Sequence, residues 1–91
     1  MLTVTKAASA RLARKLDKKK ASDKVALRFI RDNDRGGWLI RRDRTTLSDV
    51  SFLHEGRTVL ILDEKSSRLL SNKILDEQET DEGLRLRLRS R

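Results

Sequence analysis

The run Val50-Ser51-Phe52-Leu53-His54-Glu55-Gly56-Arg57-Thr58-Val59-Leu60-Ile61-Leu62-Asp63 decides the fold. Two β-prone segments, Val50 to His54 and Thr58 to Leu62, flank Glu55-Gly56-Arg57. A glycine between two apolar runs is a hairpin signal, because it enters positive φ without a steric penalty. The second segment carries four consecutive aliphatic residues, which predicts a strand that is largely buried.

Downstream of this hairpin, Asp63 is placed to cap a short helix from about Glu64 to Leu70, with Leu69 and Leu70 packing inward. Ile74-Leu75 then opens another strand. Asp81-Glu82-Gly83 predicts a three-residue loop with glycine last, followed by Leu84, Leu86 and Leu88 alternating with Arg85, Arg87 and Arg89. The leucines are expected on the core. In this register Arg85 opposes Glu79 and Arg87 opposes Glu77, so cross-strand charge pairing on a wet face accounts for the arginine row, with an anion-binding ladder as the alternative.

Upstream, Val25-Ala26-Leu27-Arg28-Phe29-Ile30 reads as a strand, Asp32-Asn33-Asp34-Arg35-Gly36-Gly37 as a turn-rich loop, and Trp38-Leu39-Ile40 as a second strand. At the start, Leu2-Thr3-Val4 alternates like a short strand, and Thr5 is a fitting N-cap for a helix reaching about Lys20. Ala8, Leu12 and Leu16, with Ala13 alongside, recur at helical spacing and form its apolar stripe. Lys6, Arg11, Arg14, Lys15, Lys18, Lys19 and Lys20 are left outside or beside it. A solvated outer face, with cations favourably close to the helix C-terminus, explains them; a surface for a polyanion or a partner is the functional alternative.

Composition bounds what such a chain does. Ninety-one residues allow one core, and 36% hydrophobic against 40% charged residues lies near the border between compact and solvated chains. The clustering of the apolar residues puts it on the compact side. Net charge is +8, and it is uneven: Met1 to Thr46 carries 14 Lys/Arg and 5 Asp/Glu, whereas Leu47 to Arg91 carries 8 and 9. The basic half makes nucleic acid, acidic proteins and anionic surfaces the candidate partners. No run approaches the roughly 18 to 20 apolar residues of a membrane span, and the first residues lack a signal-peptide apolar region, so no membrane role and a cytoplasmic location are expected.

Catalytic and metal chemistry find little support. Without cysteine there is no disulfide, thiol nucleophile or Cys-based zinc site. His54 stands alone at a strand end with no nucleophile or orienting partner in view, so the chain is expected not to be an enzyme. Asp32, Asp34, Gly37 and Asp43 imitate a calcium loop poorly, since Arg35, Arg41, Arg42 and Arg44 would repel the ion. Gly36-Gly37 lacks the Gly-Lys-Ser/Thr and following helix of a P-loop. Trp38, beside that glycine pair, is the candidate stacking residue, unless its ring covers the edge of the core.

The order of these pieces carries a resemblance: strand, helix, Ala26-Leu27-Arg28-Phe29, glycine loop, the run Glu55 to Asp63, then Leu69-Leu70, Ile74-Leu75-Asp76 and Glu82-Gly83-Leu84-Arg85-Leu86. Over almost the whole chain it resembles the HesB-like domain of the A-type iron-sulfur carriers. The resemblance implies one HesB-like domain over residues 1–91, an α+β, strand-rich, compact β-sandwich with an N-terminal helix and a second short helix. Carriers of that family are similar in having one cysteine in the loop after the second strand and a Cys-Gly-Cys pair in a C-terminal tail. Here the loop reads Arg35-Gly36-Gly37, and the residues run to Arg91 with no such pair. Cluster ligation requires thiolates or, less often, imidazoles, so no ligand carries over and no cofactor is expected.

Two functions of different class follow. The first is a non-enzymatic, cysteine-free HesB-like protein acting as an interaction or accessory module linked to iron-sulfur cluster assembly, with a protein partner and with homo-oligomers compatible with the resemblance. The second is a basic module for nucleic acid or another polyanion, using Arg11, Arg14, Lys15, Lys18, Lys19 and Lys20, with Arg35 and Trp38 beside the glycine loop. The second reading requires affinity for labelled RNA or DNA to fall steeply between about 50 and 200 mM salt. It also requires that reversing the charge of Lys15, Lys18 and Lys19 abolish binding with the fold intact, which fluorescence anisotropy measures directly.

Overall fold

The computed structural model describes residues 1–91. Its elements run β1 (Thr3–Val4), α1 (Lys6–Lys18), β2 (Val25–Arg31), β3 (Trp38–Arg44), β4 (Val50–His54), β5 (Arg57–Leu62), α2 (Glu64–Leu69), β6 (Lys73–Thr80) and β7 (Gly83–Ser90). The strands form two open sheets, one ordered β3-β2-β5-β4 and the other β1-β6-β7. In the first, β2 and β5 lie parallel at the centre, with β3 and β4 antiparallel on the flanks. This is the expected strand-rich α+β arrangement with two helices.

β5 is the spine of the larger sheet. Val59, Leu60, Ile61 and Leu62 are each 0% exposed, as four aliphatic residues in a row require. The turn that feeds it has two residues: Glu55 and Gly56 take φ of 50° and 79°, and His54 pairs with Arg57. Two successive positive φ values match the right-handed twist of the flanking strands. Gly56 meets this requirement freely, and Glu55 meets it at a steric cost.

α1 closes one face of the core. Its stripe of Ala8, Leu12 and Leu16 is fully buried, and the helix contacts β2, β4 and β5 of one sheet and β6 of the other. The Thr5 hydroxyl caps it, accepting from the Ala8 N–H at 3.2 Å while donating to Asp76 Oδ1 at 2.7 Å. One side chain thereby starts the helix and ties it to β6, and that hydrogen bond is the main reason the Asp76 carboxyl is held below its ordinary range. Eleven buried residues from α1, β2, β5, β6 and the segments beside them make one cluster; Ala26 and Ile61, also fully buried, lie outside it.

Two expectations are corrected. Leu69 is 51% exposed, while Ser66 and Leu70 turn inward, because a six-residue helix has one buried stripe and these two, four apart, occupy it. In the last hairpin Thr80 pairs with Gly83, so Arg85 opposes Gln78 and Arg87 opposes Asp76, one residue away from the expected register. Leu75 is the reason: it is 1% exposed and must face the leucine row, so it pairs with Leu88. The period of two then carries Glu77 to the same side, opposite Leu86.

Leu12→Ala should cost about 3 kcal/mol through lost burial and the cavity left behind. Leu47→Ala, at a side chain fully exposed on the β3–β4 connection, should change stability by no more than about 0.5 kcal/mol. Urea unfolding midpoints of the two variants check the contrast.

Candidate functional site

The eight residues singled out from the sequence divide into four groups. Arg11 and Arg14 reach inward across α1 to one atom, Glu77 Oε2, at 3.6 and 3.7 Å, and the Glu77 side chain is only 15% exposed. These two cations neutralise a carboxylate that the strand period forces toward the core. Arg35 stands apart in the β2–β3 loop, where Asp32 Oδ1 accepts from the N–H groups of Asp34 and Arg35 at 3.1 and 3.2 Å. Trp38 is half-buried, edge-on to Phe29 with ring centroids 5.8 Å apart at 73°, and the Arg31 guanidinium lies 5.6 Å from its ring centre. Its ring covers the edge of the core.

The remaining four, Lys15, Lys18, Lys19 and Lys20, lie exposed along the last turn of α1 and its exit. Lys20 holds φ of 53°, the left-handed conformation that glycine usually supplies where a helix ends. The Lys20 N–H donates to Asp17 O and the Ala21 N–H to Leu16 O, at 3.0 and 3.1 Å, which completes a Schellman cap with a lysine at its costly position. From β5, Arg57 donates to the carbonyls of Ala21 and Ser22 at 3.1 and 3.3 Å and so fixes this exit against the sheet.

Beyond that exit lies the largest cleft of the molecule, about 620 Å³, between Lys19-Lys20-Ala21 and Val25 on one side and Arg41 to Arg44 of β3 on the other. Lys19, Lys20, Arg41, Arg42 and Arg44 form no ion pair. The one carboxylate in the lining, Asp43, is already engaged: its Oδ2 accepts from Arg28 Nε at 2.8 Å and its Oδ1 from the Arg44 N–H at 2.8 Å. Five cations against one carboxylate leave the cleft strongly positive. Lys19 and Lys20 are among the residues expected from the sequence, and Arg41, Arg42 and Arg44 join them because β3 continues past Ile40 to Arg44. Three arginines continuing that strand were the available signal.

Arg28 is the hinge of this arrangement. On the face of β2 opposite Leu27 and Phe29, it grips Asp49 with both terminal nitrogens at 2.8 Å and Asp43 with the third, while a terminal nitrogen also reaches Arg44 O at 3.3 Å. The Asp49 carboxylate is nearly enclosed and also accepts from the Thr46 N–H at 2.9 Å. The hydrogen bond from Arg28 is the largest cause holding Asp49 below the ordinary carboxylate range. For Asp43 the Arg44 N–H contributes most, with Arg28 next. The Arg28 guanidinium is in turn pushed above its ordinary value, chiefly by Asp49.

A second, smaller cleft of about 260 Å³ opens between the two sheets and is wholly apolar, lined by Phe29, Trp38, Ile40, Leu75, Leu86 and Leu88. It adjoins the basic cleft along the inner face of β3, where Trp38 and Ile40 are followed by Arg42 and Arg44. No group of three His, Cys, Asp or Glu side chains is placed to hold a metal ion, and no helix is long and apolar enough to cross a membrane. His54 is half-buried at the end of β4 with no side-chain hydrogen bond that would make it a base for a nucleophile. With no thiolate and one imidazole, the donor set does not fit an iron-sulfur cluster.

Solved structures share this fold. Escherichia coli SufA, described as involved in biosynthesis of iron-sulfur clusters, superposes with a TM-score of 0.75 at 17% identity, covering 98% of this chain and 84% of that one. IscA, solved with a [2Fe-2S] cluster, gives a TM-score of 0.63 at 18% identity, covering 99% and 85%. The chain thus has the HesB-like fold of the A-type iron-sulfur proteins. No family model and no curated protein sequence matches it.

Asp49→Asn leaves Arg28 without its bidentate partner and should destabilise the protein by about 3 kcal/mol at pH 7. The folded-state carboxyl of Asp49 lies below its unfolded value of about 3.9, so its stabilisation is complete above that pH and is lost as pH falls through the folded value. The difference between wild type and variant should therefore shrink toward pH 2. Urea unfolding across that range measures it, and a difference independent of pH would remove the clamp as its source.

Proposed function

We propose that residues 1–91 form one HesB-like domain that works in the cytoplasm as a non-enzymatic interaction module linked to iron-sulfur cluster assembly, engaging other proteins without carrying a cluster itself. The observation that supports this reading is the conjunction of a fold match spanning 98% of the chain with a donor set containing no cysteine. The scaffold that presents thiolates in cluster-bearing proteins of this fold is built here without them, yet its core and both sheets are complete. A protein that keeps the shape without the ligands still offers partners the surfaces its own residues build on that shape. The exposed charge of α1 and β3 gives such surfaces a defined electrostatic character, which governs encounter rate and choice of partner.

The test has two arms. Anaerobic incubation with ferrous iron and sulfide should give no protein-bound visible absorption, whereas a cysteine-bearing protein of the same fold treated in parallel should develop it. Added to a purified, cluster-loaded scaffold and an apo-acceptor, the chain should form a complex with one of them on size-exclusion chromatography and alter the rate of transfer. Uptake of a cluster by this chain, or the absence of both complex and rate effect, would overturn the proposal.

A further inference from the structure

We infer that the basic cleft and the open edge of β3 form a docking site for an extended acidic segment of a partner protein, which adds to the larger sheet as a strand beside β3. The inference names the partner's chemistry for the interaction module proposed above and rests on that reading.

Main-chain geometry comes first. β3 is the terminal strand of its sheet and pairs on one side only, with β2. The bonds from Asp32 N–H to Gly37 O and from Thr45 N–H to Lys24 O fix the phase of the ladder at its two ends. Antiparallel pairing alternates, so this phase directs the amides and carbonyls of Leu39, Arg41 and Asp43 toward β2 and those of Trp38, Ile40 and Arg42 toward the open edge. Such an edge is a template for another strand unless it is covered or blocked. No bulge interrupts the β2–β3 register, and the strand contains no proline.

The side chains then select what pairs there. Inward-facing residues of β3 run from Trp38 and Ile40, at the apolar cleft, to Arg42 and Arg44, beside Lys19 and Lys20 at the basic one. A strand lying along this edge places alternate side chains against that same row, so its complement is apolar at one end and acidic at the other. A second copy of this chain is a poorer occupant, because it brings a second set of three arginines to the edge with one aspartate against them, whereas an acidic strand neutralises the row. Nucleic acid is less suited than an acidic strand: Trp38, the one large aromatic nearby, is engaged by Phe29 and Arg31, so no free ring offers a stacking platform. Lys20 adds a further sign of use, since a lysine occupies the left-handed position where glycine would relieve strain.

The probe is a fluorescent peptide of seven residues, the length of β3, with threonine on its outer face and glutamate followed by valine on its inner face, the order by which an antiparallel strand sets glutamate against Arg44 and Arg42 and valine against Ile40 and Trp38. Titrated into the full chain, it should shift the backbone amide resonances of Trp38, Ile40 and Arg42. Methylating its main-chain nitrogens at the pairing positions should weaken it by about tenfold or more. The double variant R42E/R44E should weaken it comparably, and Lys20→Gly should weaken it while leaving the unfolding midpoint unchanged or raised. Should R42E/R44E fail to fold, R42Q/R44Q and the resonance map on the wild-type chain carry the same test. Equal binding of the methylated peptide, shifts confined to other strands, or tighter binding of a single-stranded oligodeoxynucleotide than of the peptide at about 150 mM salt would each overturn the site. If a cluster-assembly protein still binds the chain while the peptide does not, the docking site is wrong and the module reading survives. If the peptide binds and no assembly protein does, the reverse holds.

Discussion

Everything in this structure is arranged around the burial of β5 on both faces. Val59 to Leu62 are fully excluded from solvent, and a strand buried on both sides obliges a chain of this length to build two covers from little material. One is α1, whose alanine and leucine stripe is narrow enough to lie close against the sheet. The other is sparser: Ile61 and Ala26 fall outside the main cluster, on the side where Arg28 pairs across to Ile61, and α2 is the helix packed on β2 and β5. Polar side chains there do what a third apolar layer would do in a larger protein.

That substitution explains why Arg28 is so fully engaged. Its guanidinium is 15% exposed, and leaving it unpaired so close to buried aliphatic residues would be expensive; three bonds to two carboxylates and one to a carbonyl remove the problem. The consequence reaches the opposite side of β3. By binding Asp43, the clamp occupies the one carboxylate that lines the basic cleft, so a contact that supports the fold also shapes the electrostatics of the surface. Glu77 shows the same coupling in reverse. The strand period brings it toward the core, and Arg11 and Arg14 are spent on it, which leaves the helix cations nearest the C-terminus as the free ones.

Much of this was legible in the sequence, and the failures have a common cause. Caps, turns and strand identities are decided by residues adjacent in the chain: Thr5 and Asp63 cap the helices as their neighbours dictate, and Gly56 marks its turn. Register and pairing depend on residues brought together by the fold. Loop length alone aligns the last hairpin one residue away from its register, whereas the burial of Leu75, on one face with Leu86 and Leu88, governs the alignment. Likewise, Arg41, Arg42 and Arg44 read as a polar tail after Ile40. They become part of a strand because Val25 to Arg28, thirteen or more residues earlier, pair with them across the β2–β3 ladder, where the Arg28 side chain also holds Asp43 and the Arg44 carbonyl.

The relation between the fold and the missing thiolates follows from where stability resides. The most deeply buried residues here are aliphatic and lie on α1, β2, β5 and β6 and, at Leu2 and Leu70, in the segments beside them, so the core does not draw on a bound cluster or on any ligand to it. A scaffold stabilised in this way is free to exchange its surface chemistry without unfolding. What it cannot exchange freely is the edge of the larger sheet, because an open strand that bears no charge invites its own copy. The arginines of β3 meet that constraint by repulsion between like edges, and the same charges make the edge receptive to acidic strands. Protection against self-association and selectivity for a partner are thereby two results of one row of side chains.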